Sequence, residues 1–345
     1  MKRIQAIDFF RLISIVAVIV IHTVPFSSDK TPLGSRLDLA TFINQSSRFA
    51  VPYFFVIAGF FWATKFDGAM SVAAPTIRMV RRILLIFLFW SAFYLLIKVN
   101  IDDVIDYGFV GLIKSIYWNL ADFIKIPMVF FFEGTKVHLW FLVSLMSCLL
   151  IGLMLLSAGM TGGLVILSVI LYGVALAGKS YADTPIGFQS DFNFRNGPFF
   201  GFIFFASGYF LQRRGPKESW LAFGFLMTGL GLSLSFYELV FIHERWGSSM
   251  SQDFVLGTYF LGVGVAMIAL SDRSIFHFRL SSRLGPLVLG IYAIHFLFVD
   301  MLRPYGGRYA GDIIWEIGYP LSVFILSVAS AYLLSCNRFT RLVVV

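Results

Sequence analysis

The first apolar segment, RIQAIDFFRLISIVAVIVIHTVPF (residues 3–26), is interrupted by three ionisable residues, Asp8, Arg11 and His22. On a helix, Asp8 and Arg11 lie one turn apart on one face. His22 follows Arg11 by eleven residues, so it lies about 20° from the same face and roughly 16 Å further along the axis. A charged residue in the middle of a membrane helix costs about 2.5–3.5 kcal/mol on insertion scales. We therefore expect this face to point into a helix bundle.

Two interpretations of this face remain open. In the structural one, Asp8 and Arg11 form an ion pair at the interface and His22 bonds to a carbonyl of a neighbouring helix. In the functional one, the helix lines a polar route, and His22 serves as a general base, because histidine titrates near neutral pH. Asp8 is too far along the helix to orient the His22 ring. A carboxylate that does so would come from another segment, which the sequence does not identify.

The composition predicts an all-α, polytopic membrane protein. Of the 345 residues, 58% are hydrophobic and 13% are charged, with a mean hydropathy of +0.83, whereas soluble domains carry about 25% charged residues. We expect one membrane domain over residues 1–345 and no metal site, because Cys148 and Cys336 are isolated. About ten segments have the apolar length that a membrane helix needs. They lie near residues 5–25, 49–66, 82–99, 139–157, 163–178, 197–212, 220–242, 254–270, 284–302 and 317–335.

Basic residues concentrate in the short connections on one side of these segments, which predicts that both termini are cytoplasmic. The formal net charge of +8 then reflects membrane topology rather than nucleic-acid binding. On the opposite side, residues 107–124 show helical periodicity and predict an amphipathic helix on the outer surface. The basic residues on the cytoplasmic side are Lys2, Arg3, Lys65, Arg78, Arg81, Arg82, Arg213, Arg214, Lys217, Arg273, Arg279, Arg283, Arg338 and Arg341.

Five short motifs follow one another along the chain. They are the Arg11-x10-His22 pair, SRFAVPYFFVIAGFF (Ser47–Phe61), RMVR (Arg78–Arg81), HLWFL (His138–Leu142) and LGIYAIH (Leu289–His295). Together they resemble the membrane acyltransferase 3 family over residues 3–302, in its stand-alone type without an appended hydrolase-like domain. Ala58 and Val288 stand where the family often has serine, so we expect no hydroxyl function at either position.

The resemblance implies an integral membrane O-acyltransferase of the inner (plasma) membrane. Such an enzyme transfers acetyl from cytoplasmic acetyl-CoA to a hydroxyl of a cell-surface polysaccharide or of its lipid-linked precursor. Acetyl-CoA is a substrate here rather than a permanent cofactor. The expected partners are acyl-CoA, the glycan acceptor and membrane lipids. His22 and Arg11 would be the catalytic pair.

The resemblance also implies a donor site at the inner end of the third segment. Arg78, Arg81 and Arg82 cluster there and could bind the phosphates of coenzyme A through charge-assisted hydrogen bonds. The alternative is that these arginines only set the topology. That alternative is favoured for Arg82 alone, whereas the match to RMVR favours donor binding by Arg78 and Arg81.

A second group of candidates could support the site or contact the acceptor. For several of them a structural role is the alternative, such as headgroup contact by Arg48, an aromatic belt at Trp140 or core hydrogen bonding by His295. The group consists of Asp8, Arg48, His138, Trp140, Arg195, Tyr292 and His295.

Competing functions are a succinyl or other acyl donor, a glycan or acyl transporter or flippase, and a non-catalytic receptor-like bundle. A transporter often shows inverted repeats, and no convincing repeat relates residues 1–170 to residues 171–345. The residues leave open the acceptor sugar, the hydroxyl position and the oligomeric state.

Overall fold

The computed structural model describes residues 5–27, 38–66, 72–97, 101–125, 127–273, 276 and 278–344. These residues are mainly helical, and none of the elements that they form is a β-strand. The helices are α1 (Gln5–Thr23), α2 (Leu39–Ser46), α3 (Ala50–Ala63), α4 (Ala73–Ile97), α5 (Ile101–Lys125), α6 (Pro127–Glu133), α7 (Trp140–Ser157), α8 (Thr161–Ala175), α9 (Pro198–Arg214), α10 (Trp220–Trp246), α11 (Leu256–Leu270), α12 (Arg279–Leu284), α13 (Val288–Tyr309) and α14 (Ile313–Cys336).

Among the described residues, eight helical stretches are long and apolar enough to cross a membrane, which confirms the polytopic helical fold. The two remaining predicted spans correspond to α9, of 17 residues, and α11, of 15 residues. At about 1.5 Å per residue these helices are roughly 26 and 22 Å long, shorter than a hydrocarbon core of about 30 Å. Eight crossings and ten crossings both leave the two termini on one side. The eight stretches are Ala6–Thr23, Leu39–Phe66, Ala73–Ile97, Val137–Ser157, Thr161–Ser180, Trp220–Trp246, Leu280–Gly306 and Ile313–Cys336.

Glycines bring α3 and α9 into close contact. A Cβ atom added at Gly59 of α3 would overlap the backbone of Phe205, and one added at Gly208 of α9 would overlap the carbonyl oxygen of Val56. Small residues at such crossings let the helix backbones approach, which favours packing inside a membrane. Gly59 and Gly208 therefore serve the close contact between α3 and α9.

Helix α1 lies at the seam between the two hydrophobic clusters of the bundle. Its first turns contribute Ile7 and Phe10 to a cluster with α3, α9 and α11. Its later turns contribute Ile15 and Ile19 to a cluster with α4, α13 and α14. Because apolar residues pack on both sides of α1, its polar face points into the bundle rather than into lipid.

Helix α5 covers the segment for which the sequence predicted an amphipathic helix. It is not among the eight candidate spans, and Gly108 interrupts it with a φ of 56°. Phe109, Ile113 and Tyr117 are more than half exposed, as expected for side chains that face lipid. Its position on the outer surface stays a prediction.

Candidate active site

A large cleft opens on the bundle between α1, α4, α13 and the chain that follows α14. Its volume is about 940 Å³. We call it the arginine cleft, because five arginines line it while its other walls are mainly apolar. These five residues are Arg11, Arg81, Arg82, Arg338 and Arg341.

Arg11 enters this cleft from α1. Its Nη1 lies 3.5 Å from Oδ1 of Asp8, which is buried against Gly285, and its Cζ lies 5.3 Å from the centre of the Phe61 ring. The ion pair expected from the sequence is thus present. Because Asp8 is fixed by burial, the pair holds the Arg11 guanidinium at the cleft.

The three arginines of α4 differ in their positions. Arg81 and Arg82 line the cleft, whereas Arg78 is exposed one turn earlier and is not among the lining residues. Sequence reasoning favoured donor binding for Arg78 and Arg81 and a topological role for Arg82. The orientation of α4 instead places Arg81 and Arg82 together.

A second cavity, of about 260 Å³, lies at the other end of α1. We call it the histidine pocket, because His22, the penultimate residue of α1, lines it. Arg11 and His22 therefore share one helix but face two different cavities. The histidine pocket also brings together three of the predicted outer residues, namely Arg48, Trp140 and Arg195.

Residues of α13 connect the two cavities. Tyr292 lines the arginine cleft, and its ring centre lies 6.1 Å from that of His295. The His295 ring centre in turn lies 5.4 Å from that of His22. Phe296 packs beside both histidines, 4.8 Å from His22 and 5.6 Å from His295. A continuous series of side-chain contacts therefore runs from one cavity to the other.

His138 completes this group from the 3-10 turn Val137–Leu139, which directly precedes α7. Its ring stacks on Phe296 at 5.0 Å and lies 5.1 Å from that of His295. The Tyr292 hydroxyl donates a hydrogen bond to the His138 carbonyl oxygen. Because His138 comes from this turn whereas Tyr292 and His295 come from α13, their contact depends on how the start of the α7 segment lies against α13.

Hydrogen bonds fix the proton positions of two buried histidines. His295 Nδ1 lies 2.6 Å from the Tyr292 carbonyl oxygen, and His138 Nε2 lies 3.2 Å from that of Ala293. A carbonyl oxygen only accepts, so each of these nitrogens donates. His295 Nε2 and His138 Nδ1 are buried and have no hydrogen-bond partner among the described residues. An unsatisfied buried polar atom costs about 1–3 kcal/mol, and at a candidate site it is an available proton acceptor.

An ion cluster forms the far wall of the histidine pocket. Asp253, in the loop before α11, lies 2.9 Å from Nη1 of Arg48, 3.1 Å from Nζ of Lys179 and 3.4 Å from Nη1 of Arg195. Burial alone would raise the pKa of Asp253, but Arg195, Arg48 and Lys179 together lower it well below its usual value. The carboxylate is therefore ionised at all physiological pH values and holds the three cations in place.

Arg195 is also fixed by two further contacts. Its Nη2 lies 3.4 Å from Glu133 Oε1, and its Cζ lies 4.8 Å from the centre of the Trp140 ring. Trp140 is only 6% exposed. The alternative that it anchors an aromatic belt is therefore wrong, because its ring is buried under a guanidinium in the pocket wall.

Several residues at the two cavities were missed from the sequence. The sequence contains one signal for Asp253, Lys179 and Glu133. All three lie in segments on the predicted outer side of the membrane, where Arg48 and Arg195 also lie. Arg338 and Arg341 were assigned only to topology, although RFTR repeats the spacing of RMVR.

Comparisons with known proteins identify the family of this chain. The model of the acyltransferase 3 family, described as an acyltransferase domain, matches residues 4–336. Two curated relatives, both named amino-acid racemase and both from Enterococcus faecalis, are similar to the chain. One is 27% identical over 258 residues, which is 70% of this chain and 34% of the relative. The other is 26% identical over 253 residues, 68% of this chain and 32% of the relative. The chain thus spans about a third of the length of these relatives. No solved structure matches.

Proposed function

This chain belongs to the acyltransferase 3 family of membrane proteins, and we propose that it transfers an acetyl group from acetyl-CoA to a hydroxyl of a cell-surface polysaccharide or its lipid-linked precursor. Acetyl-CoA binds in the arginine cleft on the cytoplasmic side of the inner membrane. The acceptor binds in the histidine pocket on the opposite side. The observation that supports this most is the position of Arg11 and His22 on one helix between two cavities.

The donor end of the proposal rests on charge. Coenzyme A is a polyanion, and guanidinium groups bind phosphate through paired, charge-assisted hydrogen bonds. The described lining of the arginine cleft contains five arginines and no carboxylate. Its apolar walls, which include Phe54 and Phe141, suit the pantetheine arm and lead toward Tyr292.

The acceptor end rests on His22. A sugar hydroxyl is a weak nucleophile until a base removes its proton. In the proposed reaction His22 accepts that proton while the hydroxyl oxygen attacks the thioester carbonyl carbon. The carbon–sulfur bond then breaks, the thiolate of coenzyme A leaves, and the proton finally passes to it. The ion cluster around Asp253 offers fixed hydrogen-bond donors to the acceptor.

The name of the two relatives describes those proteins. Because this chain spans about a third of each, most of their length lies outside the shared stretch. We propose acyl transfer, and not racemisation, for the stretch that they share with this chain.

The test is transfer by the purified protein in lipid vesicles. Acetyl-CoA labelled in the acetyl group is supplied with a lipid-linked oligosaccharide, and the product is examined for an alkali-labile ester. Labelled ester on the glycan supports the proposal. Movement of the glycan across the vesicle without ester formation would instead identify a flippase.

A further inference from the structure

The chain after α14 turns back into the bundle. The side chain of Asn337 accepts a hydrogen bond from the backbone nitrogen of Phe339, at 2.9 Å. A single 3-10 turn, Thr340–Val343, follows. We call residues 337–344 the C-terminal hook.

The tip of the hook is anchored in the core. Val344 is fully buried and Val343 is 4% exposed. The indole nitrogen of Trp90, in α4, donates to the Val343 carbonyl oxygen at 3.0 Å. Val344 also packs against Gly290 of α13, where an added Cβ would lie only 2.8 Å from the Val344 side chain. The position of the hook is therefore fixed by apolar contacts and by hydrogen bonds, none of which uses the side chain of Arg338 or Arg341.

This anchoring places Arg338 and Arg341 at the arginine cleft, together with Arg81 and Arg82 of α4. Both hook arginines are exposed, and the Cζ of Arg338 lies 4.6 Å from the centre of the Phe339 ring. No carboxylate lines the described part of this cleft. Guanidinium groups that converge on one cavity repel one another, and a bound anion removes that repulsion.

We propose that Arg338 and Arg341 bind the nucleotide phosphates of the acyl-CoA donor, so that the C-terminal hook forms one wall of the donor site. This inference rests on the proposed function and extends its donor site. Tyr292, which also lines the cleft, is buried, so in this proposal the thioester reaches inward to Tyr292 while the phosphates stay among the exposed arginines. The ligand chemistry is a phosphate dianion or diester, which an anionic lipid headgroup also presents.

The experiment measures binding to the purified, full-length protein in a neutral detergent. The ligands are coenzyme A and, separately, dioctanoyl phosphatidylglycerol as a competitor. The test variant is Arg338→Ala/Arg341→Ala, which keeps both anchoring valines. A second variant, Arg338→Gln/Arg341→Gln, keeps the side-chain length if the alanine variant loses structure. The matched control, Arg213→Ala/Lys217→Ala, removes two cations from the same predicted face but outside the arginine cleft.

The loss of one charge-assisted contact corresponds to a change of about tenfold or more in the dissociation constant. We therefore expect the double alanine and double glutamine variants to bind coenzyme A about 100-fold more weakly than wild type, with an unchanged unfolding temperature. The control should bind it normally. Unchanged coenzyme A binding overturns the proposal. If the variants bind coenzyme A normally but phosphatidylglycerol no longer competes, the hook binds lipid headgroups instead of the donor. If the wild-type protein binds no coenzyme A, both the proposed acetyl-CoA donor and the proposed role of the hook are refuted. This result differs from unchanged binding by the variants, which refutes only the role of the hook.

Discussion

Substitution of His22 separates a general base from a structural histidine. A positioned base accelerates proton transfer by about 10²–10⁴-fold, which corresponds to roughly 2.7–5.5 kcal/mol in the activation free energy. His22→Ala removes the base and also the ring contacts to His295 at 5.4 Å and Phe296 at 4.8 Å. His22→Gln keeps most of the volume and a hydrogen-bonding group but cannot accept a proton near pH 7. Both variants should therefore lose about 10²–10⁴-fold in the rate of acetyl transfer.

The assay is the initial rate of ester formation at saturating acetyl-CoA, with coenzyme A binding measured separately. Because the arginine cleft lies at the other end of α1, donor binding should be retained in both variants. Thr23→Val is the matched control, since it changes the neighbouring residue and removes only the hydrogen bonds of its hydroxyl to the carbonyl oxygens of Ile19 and Val20. A structural His22 would give the opposite order, with glutamine restoring what alanine loses. Near-normal transfer by His22→Gln would refute the reasoning and leave His295 as the candidate base.

Three further outcomes follow from the two cavities and the topology. Arg81→Ala/Arg82→Ala should raise the KM for acyl-CoA by about 100-fold, while Arg78→Ala should change it far less; equal effects would show that cleft position is irrelevant. Asp253→Asn removes the carboxylate that opposes Arg48 and Lys179, while Arg195 keeps its ion pair with Glu133. The substitution should destabilise the protein by about 3–5 kcal/mol, measured by denaturant unfolding. The pKa of Asp253 is depressed in the folded state. The stability that Asp253 contributes is therefore present above its unfolded-state pKa of about 3.9 and is lost as the pH falls below that pKa. The asparagine variant should lack this acid sensitivity. A reporter fused after Val345 should be active only if it functions in the cytoplasm. Activity of a reporter that functions only outside would show that the arginine cleft and the histidine pocket are assigned to the wrong sides of the membrane.

Local pattern was enough to predict much of this fold. Hydropathy predicted the polytopic bundle, and helical periodicity placed Asp8, Arg11 and His22 on one inward face. Each of these properties depends on a single helix and on the bilayer, so neighbouring segments were not needed to predict it.

The remaining features depend on how distant segments associate. The rotation of α4 decides which of its arginines reach the cleft, and no residue of α4 alone fixes that rotation. Asp253 meets Arg48 and Arg195 only because two loops converge near the end of α1. The C-terminal hook depends on a fit between Val344 and Gly290, which is a property of tertiary packing. The spacing of residues in the sequence indicates neither the meeting of the two loops nor the packing of the hook.

Because the two cavities are separate, the proposed reaction requires a route for the proton from one cavity to the other. In the proposed reaction the hydroxyl proton is released at His22, in the histidine pocket, whereas the thiolate that must receive it forms on the side of the arginine cleft. The side chains between them are His295 and Tyr292, and His295 already donates from Nδ1 to the Tyr292 carbonyl oxygen. Its Nε2 has no partner among the described residues, and its ring centre lies 5.4 Å from that of His22. A histidine at this position can take up the proton and release it without a change of helix packing. If the proton passes through His295, we expect an aliphatic side chain of similar size at this position to fill the same space but to slow the return of His22 to its neutral form.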